Sequence, residues 1–229
     1  MPSPVAHALA GLTLASALAP SRAWRRLAIV AAVAFGLPAS AIQTRDANPL
    51  VSLLLWDADR AFDSSALPHD VRDELTRLQE RARAYRSPRP RAADSDGTLA
   101  MVYEAQVRYE RRLFAIADGP DATARAVRYV DQLRPCYEWE GYHDCPEREA
   151  TFAERYQREH PGDGLNEYLS LLAAHRWICA AEGYDYEKQP ADAARSRRAY
   201  TDALAAARVA RSPLMRAAAA QLARRGTCF

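Results

Sequence analysis

Apolar residues recur at spacings of three and four along most of the chain, which is the pattern of amphipathic helices. The pattern predicts seven or eight helices, over residues 48–62, 68–86, 98–117, 121–133, 147–160, 165–182, 191–211 and 214–225. No convincing run of alternating β-branched residues, which would indicate a strand, occurs beyond residue 40. We therefore expect an all-α fold.

One predicted helix differs from the others because it is apolar on almost every side. Residues 165–179, LNEYLSLLAAHRWIC, carry one apolar stripe through Leu165 and Leu169 and a second through Leu171 and Ile178. A helix without a polar face is normally buried among other elements. We expect this helix to lie at the centre of the fold, packed on several sides.

Breaker residues indicate how the chain is divided. Residues 87–97, SPRPRAADSDG, predict a linker between an N-terminal helical pair (42–86) and a main helical domain (98–229). Within that domain, the order of helix, tight turn and helix in residues 147–182 recurs in residues 191–225. These antiparallel hairpins predict either an α-solenoid or a compact, irregular helical bundle.

The first of these hairpins resembles periplasmic tetratricopeptide-like proteins. Residues 153–174, AERYQREHPGDGLNEYLSLLAA, show an aromatic residue on the first helix, a Pro-Gly-Asp turn and a second helix of small residues and leucines. The resemblance covers about residues 147–229, with a spacing longer than the usual 34 residues and without the standard Trp-Leu-Gly positions. It implies a helical-repeat fold.

The N-terminal segment has the layout of a secretory signal peptide. A basic cluster at residues 22–26 precedes the apolar run 27–37, and the small residues Ala39 and Ala41 follow. The run is shorter than the roughly 20 residues that span a bilayer. We expect cleavage after Ala41 and a periplasmic or secreted protein. The alternative is that residues 1–41 are kept as an inner-membrane anchor or as paired short membrane segments.

The first residues, MPSPVAHALAGL, also resemble the start of YdjM-type inner-membrane proteins, which are predicted metal-dependent hydrolases. That family has an acidic motif after its second apolar run, whereas residues 36–40 here read GLPAS and contain no acid. His7 is therefore not assigned as a metal ligand.

The distribution of charge argues against a nucleic-acid partner. The net charge is +2, but residues 1–41 contain three arginines and no acid, so the remainder is close to neutral. A nucleic-acid-binding protein would show a basic stripe or patch. We expect a protein or an envelope component as the partner, and contact with a membrane only through residues 1–41 if they are retained.

Four cysteines in an exported chain predict two disulfides. Of the three possible pairings, we favour Cys136–Cys145 and Cys179–Cys228. The first would close a short aromatic, acidic loop at residues 134–146, and the second would fasten the last hairpin to the central helix.

A metal site and a catalytic histidine are the alternatives for these residues. Cys136, His143 and Cys145, together with Glu140, could supply sulfur, nitrogen and oxygen ligands. Because no Cys-x-x-Cys and no second Glu-x-x-His accompanies them, we predict no metal and no cofactor. His175 on the central helix could act in catalysis, but a hydrogen bond between helices is the simpler expectation.

Two predicted loops are rich in aromatic residues, which could form a binding surface made of Tyr137, Trp139, Tyr142, Tyr184 and Tyr186. No phosphate-binding loop, nucleophile elbow or haem motif is present in the sequence. The first hypothesis is an exported interaction or scaffold module of the bacterial cell envelope without catalysis. The alternatives are a small envelope hydrolase with its site near Glu138–Cys145 and His175, and a membrane-anchored helical protein of unknown role.

Overall fold

The prediction of an all-α fold is confirmed. The computed structural model describes residues 49–56, 63–89, 97–133, 136 and 141–228, and these residues form helices and no strand. The predicted signal peptide (1–41), the cleavage after Ala41 and His7 lie outside the described residues. The chain divides into two units, and every described helix belongs to the unit Asn48–Cys228.

The described residues contain eight helices, close to the predicted positions: α1 (Pro49–Trp56), α2 (His69–Ala84), α3 (Gly97–Ile116), α4 (Ala122–Leu133), α5 (Asp144–Glu159), α6 (Asn166–Tyr186), α7 (Pro190–Arg208) and α8 (Pro213–Arg225). None of these helices is both long and apolar enough to cross a membrane.

Helix α6 is the central helix that the sequence predicted. Sixteen of its 21 residues are buried, because it packs between α5 and α7 and also contacts α8. The predicted end of this helix at residue 182, with a loop at 183–190, is wrong, since α6 continues to Tyr186. Gly183 does not break the helix. It lies where the backbone of His143 approaches too closely for a larger residue.

Helix α8 links the two ends of the unit because α1, α2, α6 and α7 all contact it. Its N-terminus begins with Ser212, whose hydroxyl accepts a hydrogen bond from the Met215 amide at 3.0 Å. Glu74 of α2 accepts hydrogen bonds from the Ser212 hydroxyl (2.6 Å) and from the Leu214 amide (3.0 Å). Glu167 of α6 accepts one from the Ser212 amide at 3.0 Å. The two carboxylates at this helix N-terminus also interact favourably with the positive end of the helix dipole.

One hydrophobic core runs through the helices, from Leu50 of α1 to Leu222 of α8. Helix α4 is attached to α5 through Tyr129, whose ring meets the rings of Phe152 and Tyr156 edge-on, with centroids 4.8 and 5.0 Å apart. Helices α1 and α2 contribute to the same core. Most of the predicted linker, residues 90–96, lies outside the described residues, so the division there stays a prediction.

Candidate functional site

Two of the five predicted binding residues come together at the surface. The rings of Tyr142 and Tyr186 lie 6.1 Å apart at 66°, and the residues are 44% and 73% exposed. We call Tyr142 and Tyr186 the tyrosine pair. Tyr137 and Trp139 lie outside the described residues. Tyr184 is only 5% exposed, so it lies beneath this surface and is not part of it.

The segment that carries Tyr142 is held firmly on the C-terminal end of α6. The ring of His143 stacks on Tyr184 with centroids 4.0 Å apart and 17° between the planes. His143 Nδ1 lies 2.6 Å from Glu187 Oε1, and the His143 amide donates to the same oxygen at 3.2 Å. These hydrogen bonds favour the ionised carboxylate, so the pKa of Glu187 is lowered.

Tyr184 in turn is tied to α5 and α7. Its hydroxyl donates to Glu147, and the Arg195 guanidinium lies 5.8 Å from the Tyr184 ring centroid and 3.3 Å from Glu147. Burial and the hydrogen bond to Glu147 raise the pKa of Tyr184 to about 12, so the phenol remains a neutral donor at physiological pH. The residues that support the tyrosine pair therefore come from α5, α6 and α7 and from positions next to them. We call this supporting group, His143, Glu147, Tyr184, Glu187 and Arg195, the base of the tyrosine pair.

Both cysteine pairs lie at disulfide-bonding distance, in the pairing that the sequence favoured. The Cα atoms of Cys136 and Cys145 are 6.0 Å apart, and those of Cys179 and Cys228 are 4.7 Å apart, within the normal range for disulfides. The Cys136–Cys145 disulfide closes the loop that carries the first aromatic residues. Of the metal ligands considered above, the two sulfurs are bonded to each other and His143 faces Glu187, while Glu140 lies outside the described residues.

His175 belongs to a buried polar cluster that the sequence did not predict as a whole. Arg176 donates from Nε to Glu149 Oε2 at 2.5 Å, and the Tyr109 hydroxyl donates to the same oxygen at 3.0 Å. Arg176 Nη1 lies 2.9 Å from His175 Nδ1, and His175 Nε2 lies 3.0 Å from the Cys228 carbonyl oxygen. Helices α3, α5 and α6 and the segment after α8 therefore meet at this cluster.

The contacts of His175 fix its neutral form. Nε2 carries the proton that it donates to Cys228, which leaves Nδ1 to accept from Arg176. Burial, followed by the nearby Arg176 charge, lowers the pKa of His175 to about 3. Its side chain is also too buried for a substrate to reach, at 4% exposure.

The structure does not bring His175 and His143 into one cleft. His143 packs on Gly183, which lies eight residues and so about 12 Å along α6 from His175. His175, Cys179 and Cys228 do form a buried group whose potential ligand atoms lie within 4.8 Å of one another. Both sulfurs of this group are engaged in the Cys179–Cys228 disulfide.

A polar cleft that the sequence analysis missed lies between α4 and the turn after α5. It has a volume of about 560 Å³. Arg125 bridges Asp121 (2.9 Å) and Asp163 (3.2 Å), and the Tyr156 hydroxyl donates to Asp163 at 3.0 Å. The spacing of Asp121 and Arg125 by four residues was the available sequence signal. Because these polar groups bind one another, they hold the turn after α5 against α4.

The fold and this surface define an all-α bundle with two disulfides and an exposed tyrosine pair. Comparison of the chain with protein-family models, curated proteins and solved structures gave no match.

Proposed function

We propose that the chain is an exported helical binding module of the bacterial cell envelope, which holds a protein or envelope component against the tyrosine pair and performs no chemistry of its own. The observation that carries this proposal is the exposure of Tyr142 and Tyr186 side by side on a tightly hydrogen-bonded base. The aromatic rings of such a pair offer a large apolar contact area with hydroxyl groups at its edge.

The base supports binding because it fixes the segment beside Tyr142 before a partner arrives, which reduces the conformational entropy lost on binding. A side chain that is immobilised only on binding loses conformational entropy, about 0.5–1.5 kcal/mol for a flexible one. The segment carrying Tyr142 is already held by the His143–Tyr184 stack and by the two contacts with Glu187. Tyrosine is among the residues that most often dominate the binding energy of protein interfaces.

Asp185, the residue before Tyr186 in the chain, is charged and half exposed. Asp185 forms an ion pair with Arg197, and both side chains are about half exposed. Because this ion pair is exposed, its charges can attract and orient a partner of complementary charge. Protein interfaces commonly combine an apolar centre with polar residues at the edge, so a charged pair close to Tyr186 in the chain is compatible with binding.

Export is supported by the two disulfides and by the signal-like residues 1–41. Disulfides persist mainly in oxidising compartments such as the periplasm. The intact mass of the chain recovered from the envelope fraction, with thiols alkylated before and after reduction, tests this part. We expect a chain that begins at Ile42 and has no free thiol until it is reduced. A full-length chain with four free thiols would overturn export.

Site-specific photo-crosslinking in the native cell envelope tests the binding surface. A photoreactive phenylalanine derivative is placed at position 186 or, as the control, at position 209. Val209 is a similarly exposed apolar residue, at 80% against 73% for Tyr186. We expect one discrete adduct from position 186, none from position 209, and loss of the adduct in a Tyr142→Ala background. Equal labelling at both positions would contradict the proposal.

A further inference from the structure

The two disulfides differ in how easily a reagent from solution can reach them. Cys179 and Cys228 are buried, at 1% and 4% exposure, whereas Cys136 and Cys145 are both partly exposed. Thiol–disulfide exchange begins when a thiolate attacks a disulfide sulfur, so its rate depends on access to that sulfur. Of the two bonds, Cys136–Cys145 is therefore the one that is open to attack in the folded chain.

Arg148 places a positive charge against this exposed disulfide. Its guanidinium donates from Nη2 to Cys136 Sγ, and the same nitrogen lies 3.7 Å from Cys145 Sγ. Residues three apart on a helix are neighbours on its surface, so α5 itself holds Arg148 beside Cys145. A neighbouring arginine stabilises a cysteine thiolate relative to the thiol. When the disulfide is reduced, this guanidinium is in place to stabilise the sulfur anions.

Cys145 has a second source of stabilisation because it is the second residue of α5. The first amide groups of a helix have no carbonyl partner within the helix, and the helix dipole has its positive end there. Cysteines at helix N-termini form thiolates more readily than ordinary cysteines do. Cys136 lies outside any helix. Cys145 is therefore the better leaving group of the two.

The acidic residues in the first two turns of α5 oppose this effect only weakly. Glu147 lies 3.3 Å from Arg195, and Glu149 lies 2.5 Å from Arg176, so both carboxylates already face a cation. Asp144 is exposed, and solvent screens its charge. Its side chain also does not share a helix face with that of the next residue, Cys145.

We propose that the Cys136–Cys145 disulfide is a thiol–disulfide exchange site, which an external dithiol reduces and its oxidised form closes again. One thiolate of the dithiol attacks Cys136 Sγ, the bond between the two cysteines breaks, and Cys145 leaves as a thiolate beside Arg148. The second thiol of the reagent loses its proton to water and attacks the mixed disulfide, which releases Cys136 and the oxidised dithiol.

Both electrons come from the dithiol, so the chain is modified by this reaction and catalyses nothing. The inference goes beyond the binding function, because it does not depend on what the tyrosine pair holds.

The redox equilibria of the two disulfides in the full, folded chain test the proposal. The wild type is equilibrated without oxygen in a series of redox buffers, from glutathione to dithiothreitol, and free thiols are then alkylated. Mass spectrometry of the peptides gives the reduced fraction of each pair. We expect the equilibrium constant for reduction to be larger for Cys136–Cys145 than for Cys179–Cys228 by about tenfold or more. Equal constants, or the reverse order, would overturn the proposal.

Arg148→Met tests the source of the effect, because methionine keeps an unbranched side chain without the charge. The equilibrium constant for reduction of Cys136–Cys145 should fall by about tenfold, as expected for the loss of a unit charge close to the sulfurs near the protein surface. Arg158→Met is the matched control, since Arg158 is exposed on the same helix about 15 Å further along it. This control should match the wild type. An unchanged constant in Arg148→Met would contradict the assigned role of the guanidinium.

The pH profile of alkylation separates a stabilised thiolate from a thiol that is merely exposed. Cys136→Ser leaves Cys145 as the free thiol, and its rate of reaction with iodoacetamide is followed against pH. We expect the midpoint of this profile to lie at least about one pH unit below the value of roughly 8.5 for free cysteine. The same variant with Arg148→Met added should move back towards that value. A midpoint at or above the value of free cysteine would overturn the proposal.

Discussion

The imidazole of His175 on α6 hydrogen-bonds the main-chain carbonyl of Cys228, with Nε2 3.0 Å from the oxygen. The same residue, Cys228, is joined to Cys179, and its amide donates to Glu182 Oε1 at 2.9 Å. Three residues spaced along one side of α6 thus hold the segment that follows α8. Because the neutral imidazole is part of this attachment, the attachment is sensitive to pH.

We expect the stability of the protein to fall below pH 6.5 because of His175. Its pKa is about 3 in the folded chain and 6.5 by its ordinary value, so protons bind the unfolded chain preferentially between these values. The contribution is complete above pH 6.5 and decreases by about 1.4 kcal/mol for each pH unit below it. Between pH 7 and pH 5 the loss from this residue amounts to roughly 2 kcal/mol. Urea unfolding at the two pH values measures it.

His175→Gln removes the titrating group, so the unfolding free energy of this variant should depend less steeply on pH than that of the wild type. His69→Gln, at an exposed histidine of α2, is the matched control. Equal pH slopes in the wild type and His175→Gln would show that His175 is already protonated in the folded state or titrates normally.

The two disulfides should contribute unequally to stability. They join residues 49 and 9 positions apart, and a cross-link restricts the unfolded chain more when its loop is longer. On this basis, Cys179→Ala/Cys228→Ala should lose about 4 kcal/mol and Cys136→Ala/Cys145→Ala about 3 kcal/mol. Denaturant unfolding of the two variants under oxidising conditions gives the comparison. A larger loss from the shorter loop would contradict the expectation.

The ion pair between Glu149 and Arg176 should be costly to break and far less costly to replace. Both side chains are almost fully buried, so Glu149→Gln removes the carboxylate charge that faces the Arg176 guanidinium. We expect a loss of about 3–5 kcal/mol. The double variant Glu149→Leu/Arg176→Met removes both charges and should recover most of that loss. The unfolding free energies of the wild type and the two variants decide this, and a double variant no more stable than Glu149→Gln would refute it.

Local patterns in the sequence predicted the features that depend on local spacing. The helix positions, the central place of α6 and the cysteine pairing all follow from periodicity, breaker residues and loop length. The sequence could not show that Arg176 meets Glu149, since 27 residues separate them and only packing brings them together. The burial of Arg112 was hidden for the same reason, because its surroundings come from three different helices.

The place of Tyr184 shows a different limit of the sequence. Glycine is a poor helix former, so Gly183 predicted a loop that would expose Tyr184. In the structure the glycine is inside α6, and the helix continues past it. The close approach of the His143 backbone leaves room only for glycine at position 183, and this outweighs the low helix propensity of glycine. The sequence alone does not show that these two segments pack together.

Gly183→Ala should therefore destabilise the protein although alanine is the better helix former. A Cβ at this position would lie 2.6 Å from the His143 amide nitrogen and 2.8 Å from its Cα, so the backbone would have to move. We expect a loss of roughly 1–3 kcal/mol, which exceeds the gain of up to about 1 kcal/mol in helix propensity. Crosslinking from position 186 should also weaken, since Tyr142 lies next to the displaced residue.

Gly164→Ala is the control, because its added Cβ would meet nothing within 4 Å. Denaturant unfolding gives the measurement, and equal stability of Gly183→Ala and the wild type would show that the segment at His143 is not held against α6.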